Sequence, residues 1–246
     1  MRLRQARQSD LAALALIQAR AFVNDPVFAH FYPFRRHYPQ DYYNSLLQAL
    51  KLAFVTPGNV IMVALLEQKD LGFHDDKHYL GSKLAGFISC VRHGRPKDVD
   101  KWNPDDDAKC LERQLYEIET GATPNRAVST GNIQDFYGRA SLVLGSQSDW
   151  VESLMLAVLP EYQHLGVAKQ LMLWEIAAAE EEGVDIFFEA TEVSAPIYLR
   201  MGAKVLGTVE LQQKKQRSEI HLDEVDLPAC SVPVMRLHPS KVQWKL

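Results

Sequence analysis

The chain has 246 residues, a formal net charge of −4 and a pI of about 6.1. About 47% of the residues are hydrophobic and 24% are charged, which excludes a fibrous or disordered chain and indicates a globular protein. Basic residues form only small clusters, so a nucleic-acid polymer is not expected as substrate or partner.

Cysteine and histidine placement argues against covalent or metal cross-links. Cys90, Cys110 and Cys230 are odd in number and far apart, which fits neither a disulfide framework nor a zinc site. The histidines show no metal-ligand spacing with cysteines or carboxylates, so no metal is expected. The N-terminus lacks an apolar signal-like stretch, and no run approaches the roughly 18 apolar residues of a membrane helix. We therefore expect a cytoplasmic protein with no membrane partner, and leave a nuclear location open.

The chain opens with a predicted strand and helix. Residues 2–7 alternate and indicate a strand, and a helix follows from a cap at Ser9 or Asp10 to the break at Asp25-Pro26. Seven aromatic residues come next: Phe28, Phe31, Tyr32, Phe34, Tyr38, Tyr42 and Tyr43. They fit either a packed helix–helix corner or the wall of a substrate pocket.

A second helix is predicted over about 41–54, because apolar residues recur there on one face. Two apolar runs, 60–66 and 84–91, then predict strands. The polar segment 72–82 between them predicts a hairpin loop.

Residues 93–149 are interrupted by proline and glycine and contain one predicted helix, near 105–120. We interpret this segment as an insertion within a single domain that spans residues 1–246. It fits either a lid beside an active site or a passive surface excursion.

The last third of the chain has the clearest pattern. It predicts strands at 151–159, 184–190, 205–211 and 231–237, helices at 166–182 and 196–201, and an exposed loop at 212–226. The longer helix has Val167, Leu171, Trp174 and Ala178 on one face of a 3.6-residue period. The order of elements predicts an α/β fold, a mixed sheet with helices on its faces.

The turn between strand 151–159 and helix 166–182 has the strongest chemical signal. The strand stops at Pro160, and the helix begins through the small residues Gly166 and Ala168. The first turn of a helix has unpaired N–H groups and a partial positive charge, and small residues let a ligand approach the backbone. These features favour a phosphate site. The alternative is an ordinary strand–helix turn, because the pattern Gln-x-x-Gly-x-Ala is neither a P-loop nor a dinucleotide motif.

At this point the sequence resembles the GCN5-related N-acetyltransferases (GNAT). Their signature Gln/Arg-x-x-Gly-x-Gly/Ala is matched by Gln163, Gly166 and Ala168, and the segment Leu156–Tyr162 is similar to the family's strand and V-x-P-E-Y/F lead-in.

A second family element, A-x-x-x-Y-x-x-x-G-F, is similar to Ala195–Ala203, with Ala203 in place of the usual aromatic residue. The strong resemblance covers about 150–207 and extends loosely to 1–95. It is closest to fungal members with a long insertion.

The resemblance implies a GNAT-like fold, a mostly antiparallel mixed sheet whose two central strands, here 151–159 and 184–190, splay apart. It implies acetyl-CoA as co-substrate. Backbone amides of the turn would hold the pyrophosphate, and the strand edge would hold the pantetheine arm. The implied cofactor contacts are Ala157, Val158, Gln163, His164, Leu165, Gly166, Val167, Ala168, Lys169 and Tyr198.

The resemblance also assigns catalytic roles. Tyr198 matches the family's usual acid for the departing thiolate, and its alternative role is plain packing against the cofactor. A thiol has a pKa of about 8.5 and a tyrosine about 10, so this proton transfer is near balance. Glu152 and Glu189 are the candidate bases, and each has the alternative of a solvated strand-end charge. A strand N–H near Val158 would stabilise the oxyanion.

The predicted function is transfer of an acetyl group from acetyl-CoA to a primary amine, of a small molecule in preference to a peptide. A non-catalytic acyl-CoA-binding module and an unrelated nucleotide-binding α/β protein are the alternatives. The acceptor and the oligomeric state have no readable signal in the sequence.

Overall fold

The computed structural model describes residues 1–67, 70, 83–122, 124–217 and 224–242. Its strands are β1 (Arg2–Gln5), β2 (Asn59–Leu66), β3 (Lys83–His93), β4 (Trp150–Val158), β5 (Asp185–Glu189), β6 (Lys204–Leu211), β7 (Lys214–Arg217), β8 (Glu224–Leu227) and β9 (Cys230–Leu237). Seven of them form one sheet in the order β1-β2-β3-β4-β5-β9-β6, and β7 pairs with β8. In the large sheet β4 and β5 are parallel, and the other neighbours are antiparallel.

Helices cover both faces of this sheet. They are α1 (Leu11–Ala21), α2 (Pro26–Phe31), α3 (Pro39–Val55), α4 (Pro96–Trp102), α5 (Asp107–Ala122), α6 (Thr130–Leu144), α7 (Val167–Glu182) and α8 (Ala195–Met201). One buried cluster joins the sheet to α1, α2, α3 and α6, and we call this side the α6 face. A second cluster joins it to α7 and α8 on the other side, the α7 face. None of the described helices has the length and apolar composition needed to cross a bilayer.

The predicted α/β fold is confirmed, including the mixed, mostly antiparallel sheet. The strands and helices predicted after residue 150 are present with small shifts at their ends, and the helix near 105–120 corresponds to α5. The first strand ends at Gln5, before Ala6 and Arg7. The predicted hairpin loop 72–82 lies outside the described residues.

Three predictions from the sequence were incomplete or wrong. Helix α2 lies within the aromatic run, where Asp25 caps it by accepting hydrogen bonds from the N–H groups of Val27 and Phe28. Helices α4 and α6 were missed in 93–149. The loop predicted at 212–226 contains β7 and β8, paired from Lys214↔Leu227 to Arg217↔Glu224. Lys215 and Arg217 both form ion pairs with Glu224 across this pair, so the charged pattern marks cross-strand pairing on an exposed ribbon.

The aromatic run forms a packed helix–helix corner. Most of its side chains are buried, and Tyr32 packs between Phe28 and Tyr42 at ring-centroid distances of 5.9 and 4.9 Å. Tyr32 and Phe34 also line a cavity of about 1030 Å³. Its walls come from both segments 23–45 and 93–149.

Strand β4 contains an extra residue, a β-bulge, that changes the direction of the strand. Ser89 of β3 pairs with Met155, but the next residue, Cys90, pairs with Ser153, so Leu154 has no partner in β3. Such a bulge bends the strand and increases its twist. It also reverses the alternation of side chains, so that Val151 and Leu156 both lie on the α7 face although they are five residues apart.

Beyond the bulge, β3 and β4 approach closely at Gly86. A Cβ atom at this position would lie 2.5 Å from the carbonyl oxygen of Ala157 and 3.0 Å from a methyl group of Val158. The first of these contacts is with backbone, which cannot rotate away. Gly86 is therefore required by the spacing of the two strands.

We expect Gly86→Ala to lower the free energy of unfolding by about 2 kcal/mol, because overpacking forces the backbone to shift. The matched control is Gly138→Ala in α6, where nothing lies within 4 Å of the added Cβ. That variant should be stabilised by about 0.5–1 kcal/mol, because alanine favours helix. Urea denaturation measures both. Equal stability of the two variants would contradict the close approach at Gly86.

Candidate active site

Strands β4 and β5 part after three residue pairs. They pair at Trp150↔Asp185, Val151↔Ile186 and Glu152↔Phe187. Beyond Glu152, β4 follows β3 as far as Val158, while β5 follows β9. The space between the two strands, which we call the β4–β5 gap, opens from Glu152 and Phe187 outward.

Backbone groups of β4 face this gap at alternate residues. The N–H of Leu159 donates to the carbonyl of Ala85 at 2.9 Å, which makes these two residues a hydrogen-bonded pair. Hydrogen-bonded and non-hydrogen-bonded pairs alternate along an antiparallel ladder. The backbone of Ala157 is therefore turned toward Phe87, whereas the N–H and C=O groups of Leu156 and Val158 are turned away from β3, into the gap.

The turn before α7, residues 163–168, is open to solvent at one end of β4. His164 and Gly166 both have positive φ, +63° and +79°, and residues 163–166 are exposed. Gly166 is the N-cap of α7 and provides no side-chain cap. No hydrogen bond within the described residues uses the N–H groups of Gly166, Val167 or Ala168. The backbone therefore presents unpaired donors at the positive end of a 16-residue helix, an arrangement that favours anions.

The side chains of this turn contribute less than its backbone. Gln163 folds back, and its Nε2 donates to the carbonyl of Val158 at 3.3 Å. Leu165 is exposed, and Lys169 lies partly exposed in the first turn of α7.

Two carboxylates lie on the α6 face of the gap. Glu152 is the last residue of β4 that pairs with β5, and its register partner is Phe187. Glu189 lies two residues beyond Phe187 on β5. Nε2 of His93 lies 2.7 Å from Oε2 of Glu152. The His93 ring stacks on Trp150 with a centroid distance of 4.3 Å, which holds the imidazole in place beside Glu152.

Desolvation makes Glu189 a weaker acid than an ordinary glutamate. Burial, followed by the negative charge of Glu152, raises the pKa of Glu189 to about 7. Tyr137 of α6 lies in the same group: desolvation, and then the charges of Glu189 and Glu152, raise the pKa of its hydroxyl. The Tyr137 ring packs beside Phe31 with a ring-centroid distance of 5.9 Å.

Tyr198 lies on the opposite, α7 face. Its ring packs against Phe188 of β5 at 4.3 Å. Burial, and then the charges of Glu175 and Cys90, raise the pKa of its hydroxyl, which therefore stays protonated at neutral pH. Proton transfer to a thiolate, predicted from the sequence to be near balance, is therefore uphill in this structure, because the thiol pKa is about 8.5. The structure thus brings Glu152 and Glu189 together on one face of β4 and β5 and places Tyr198 on the other.

Three residues near the gap were missed in the sequence. His93 and Tyr137 lie far along the chain from their carboxylate partners, and no local pattern marks them. Glu175 did have a signal. It follows Leu171 by four residues on α7, so the helical period that predicts a buried leucine also places this glutamate inside.

Among the described residues, no group of three or more histidine, cysteine, aspartate or glutamate side chains is arranged to hold a metal ion.

The chain is similar to several solved structures. One similar structure is a histone acetyltransferase HPA2 and related acetyltransferase from Corynebacterium glutamicum, with 16% identity over 95% of this chain and 93% of that chain and a TM-score of 0.55. A Drosophila melanogaster polyamine N-acetyltransferase has 14% identity over 96% and 99%, with a TM-score of 0.50. A PaiA N-acetyltransferase from Thermoplasma acidophilum, in complex with coenzyme A, has 14% identity over 96% and 98%, with a TM-score of 0.46. No curated protein matches the chain.

The parted strands, the helices on both faces and the open turn form an acetyltransferase fold. The sequence profile of the acetyltransferase (GNAT) family matches residues 43–203, and the chain belongs to this family.

We expect Glu189 to titrate near pH 7 in carbon-13 NMR of glutamate-labelled protein, with Glu189→Gln assigning the signal. Glu152→Gln should lower the pKa of Glu189, because it removes a like charge that favours the protonated form. Glu181→Gln on the surface of α7 is the matched control and should leave the titration unchanged. A pKa of Glu189 below about 5.5 in the unaltered protein, one unit above the ordinary value for glutamate, would contradict its desolvation.

Proposed function

We propose that this protein is an N-acetyltransferase that moves the acetyl group of acetyl-CoA to a primary amine of a small molecule. The supporting observation is the β4–β5 gap, which has an anion-favouring turn at one end and two carboxylates where it closes. The same gap separates these carboxylates from a protonated tyrosine. A thioester that enters from the turn would therefore reach a base and an acid on opposite sides.

The open turn suits the diphosphate of coenzyme A. The N–H groups of Gly166, Val167 and Ala168 have no hydrogen bond in the described structure, and the helix dipole adds positive charge. These amides would hold the phosphate oxygens, with His164, Leu165 and Lys169 around them. Gln163 would contribute indirectly, through its bond to Val158.

The free edge of β4 suits the pantetheine arm. Leu156 and Val158 turn their N–H and C=O groups into the gap, where amides of an extended chain can pair with them as an added strand does. Ala157 would contribute by shape only, because its backbone faces β3. Where the thioester carbonyl lies against Val158, the N–H of this residue would donate to the developing oxyanion instead of to an amide of the arm.

Glu189 is the better placed of the two bases. An alkylammonium has a pKa of about 10.4 and must lose a proton before it can attack. A carboxylate with a pKa of about 7 is matched to this task at neutral pH. Glu152, fixed by His93, would hold the incoming ammonium group next to Glu189. The base must be ionised, so the rate should rise as the pH increases through about 7.

Tyr198 completes the reaction. As the nitrogen–carbon bond forms and the carbon–sulfur bond breaks, the thiolate leaves with a negative charge. The hydroxyl of Tyr198 donates its proton to that sulfur. The nitrogen releases its second proton to solvent as the amide forms, and the phenolate regains a proton from solvent. Coenzyme A supplies the activated acyl group, and the protein supplies the acid, the base and their positions.

The acceptor is proposed to be a small cationic amine. Tyr137, which packs against Phe31, provides an aromatic face beside the two carboxylates, and such a face is suited to an alkyl or aryl group that ends in an ammonium. The Drosophila relative described above is a polyamine N-acetyltransferase, which is compatible with this class.

The test is a transfer assay with acetyl-CoA and a panel of alkyl diamines, arylalkylamines, amino sugars and peptide N-termini. We expect turnover with small cationic amines and a rate that rises through about pH 7, because Glu189 must be ionised. Coenzyme A binding measured by calorimetry separates the two ways in which the assay could fail. Binding without transfer to any acceptor would favour a non-catalytic acyl-CoA module, and binding of ATP or NAD in place of coenzyme A would reject both proposals.

Tyr198→Phe should lower kcat by about 10²–10⁴-fold, the usual contribution of a positioned acid, while the Kd for coenzyme A changes little. Its ring packing against Phe188 is kept, so loss of rate reports the hydroxyl. Tyr116→Phe in α5 is the matched control and should retain full activity. An unchanged kcat in Tyr198→Phe would reduce Tyr198 to a packing role.

A further inference from the structure

Helix α5 has its apolar side turned to solvent. Leu111, Leu115 and Ile118 lie on one side of the helix and are 57%, 50% and 67% exposed. None of residues 107–121 is buried. An amphipathic helix on a protein surface normally packs its apolar stripe against the core and presents its charged side to water. In α5 the two sides are reversed, so its apolar side is left for contact with another molecule.

Polar contacts hold the first half of α5 in this orientation. Nζ of Lys109 donates to Oδ1 of Asn103 at 2.8 Å and to the carbonyl of Pro104 at 2.7 Å. Arg113 donates to the carbonyl of Val55, the last residue of α3, at 2.6 Å. These donors lie on the side of the helix opposite the three exposed apolar residues.

Helix α3 holds the second half of α5 in the same way. Nζ of Lys51 lies 3.2 Å from Oε2 of Glu119 and 5.1 Å from the centroid of the Tyr116 ring. A rotation of α5 that buried its leucines would break these contacts together with those of Lys109 and Arg113. The exposure of the apolar side is therefore set by the packing of α5 against its neighbours.

The apolar positions have the spacing of a coiled-coil seam. Steps of three and four residues separate four exposed side chains, which we call the α5 seam: Ala108, Leu111, Leu115 and Ile118. The a and d positions of a heptad repeat follow the same steps. The seam extends over about 15 Å, at 1.5 Å per residue. It therefore has the length to pair with one helix of about three turns, packed side by side with α5.

The charges beside the α5 seam restrict its partner. The flanking e and g positions are all acidic or neutral: Asp107, Glu112, Gln114, Glu119 and Gly121. Glu119 pairs with Lys51, and its side chain is still half exposed. The two basic residues of α5, Lys109 and Arg113, are held by the contacts described above. Charges at e and g decide which helices can pair. The seam therefore disfavours a second copy of itself and favours lysine or arginine.

We propose that the α5 seam is a docking surface for a basic amphipathic helix of another protein. That helix places its own apolar stripe on the seam and its lysine or arginine side chains beside the acidic flanks. Three turns of helix bury less surface than a permanent subunit interface, so the complex is reversible. The acidic flanks oppose adsorption to a membrane, because anionic head groups attract basic helices. The surface is separate from the proposed acetyl transfer, since none of the site residues described above lies in α5.

The test uses the full chain and a labelled, three-heptad peptide with leucine at a and d and lysine at e and g. Fluorescence anisotropy gives its Kd. A matched peptide has glutamate at e and g. We expect the lysine peptide to bind and the glutamate peptide to bind at least about tenfold more weakly, because several flanking charge pairs change from attraction to repulsion.

Three variants connect this binding to the seam. Leu115→Glu, at its centre, should weaken binding of the lysine peptide by about 30-fold or more. Leu142→Glu, which alters an exposed leucine of α6, is the matched control and should bind as the unaltered protein does. Glu112→Lys should shift the preference toward the glutamate peptide by several-fold. All three positions lie at the surface, and thermal unfolding confirms that the variants are folded.

Several outcomes would overturn the proposal. They are no binding of the lysine peptide, equal affinity for the two peptides, and binding that survives Leu115→Glu. Sedimentation that shows a dimer dissolved by Leu115→Glu would assign the seam to a second copy of this chain instead. Adsorption to vesicles of phosphatidylserine and phosphatidylcholine that Leu115→Glu abolishes would assign it to a membrane surface.

Discussion

The separation of β4 from β5 after three parallel residue pairs is the constraint on which the rest of the site depends. Strand β4 stays paired with β3, and β5 stays paired with β9. The sheet is therefore continuous where β4 and β5 pair and is open between these two strands beyond Glu152 and Phe187. The unpaired Leu154 bends β4 away, and Gly86 allows β3 to follow it closely. An opening in the middle of a sheet would normally leave backbone groups without partners. Here those groups are arranged where an extended ligand can pair with them.

The two faces of the opened sheet provide different chemistry. On the α6 face, Glu152 and Glu189 share a partly desolvated region with an aromatic wall, and one of them is shifted toward neutrality. On the α7 face, burial and then the charges of Glu175 and Cys90 raise the pKa of Tyr198 and keep it protonated. The sheet thus separates a carboxyl group with a raised pKa from a tyrosine that stays protonated.

The sequence predicted the parts of the site whose residues are close together in the chain. It did not predict the parts that form from residues far apart in the chain. Gly166 and the strand–turn–helix around it could be identified because all their determinants lie within a few residues. Helix α6 was missed because Gly131 and Gly138 are typical of loops, although Phe136 and Ala140 lie four residues apart on its buried side. His93 belongs to the site because it contacts Glu152, which is 59 residues away in the chain, and no sequence periodicity connects the two residues. The hairpin-forming charges of 212–226 likewise gain partners only once the strands pair.

The turn before α7 offers main-chain groups to solvent, and its side chains point elsewhere or are fully exposed. Donors of this kind place few demands on side-chain identity beyond residues that tolerate positive φ at positions 164 and 166. Substitutions can therefore accumulate around the turn without altering the donors that it presents. This tolerance is compatible with the 14–16% identity at which the two acetyltransferases described above share the architecture of this chain.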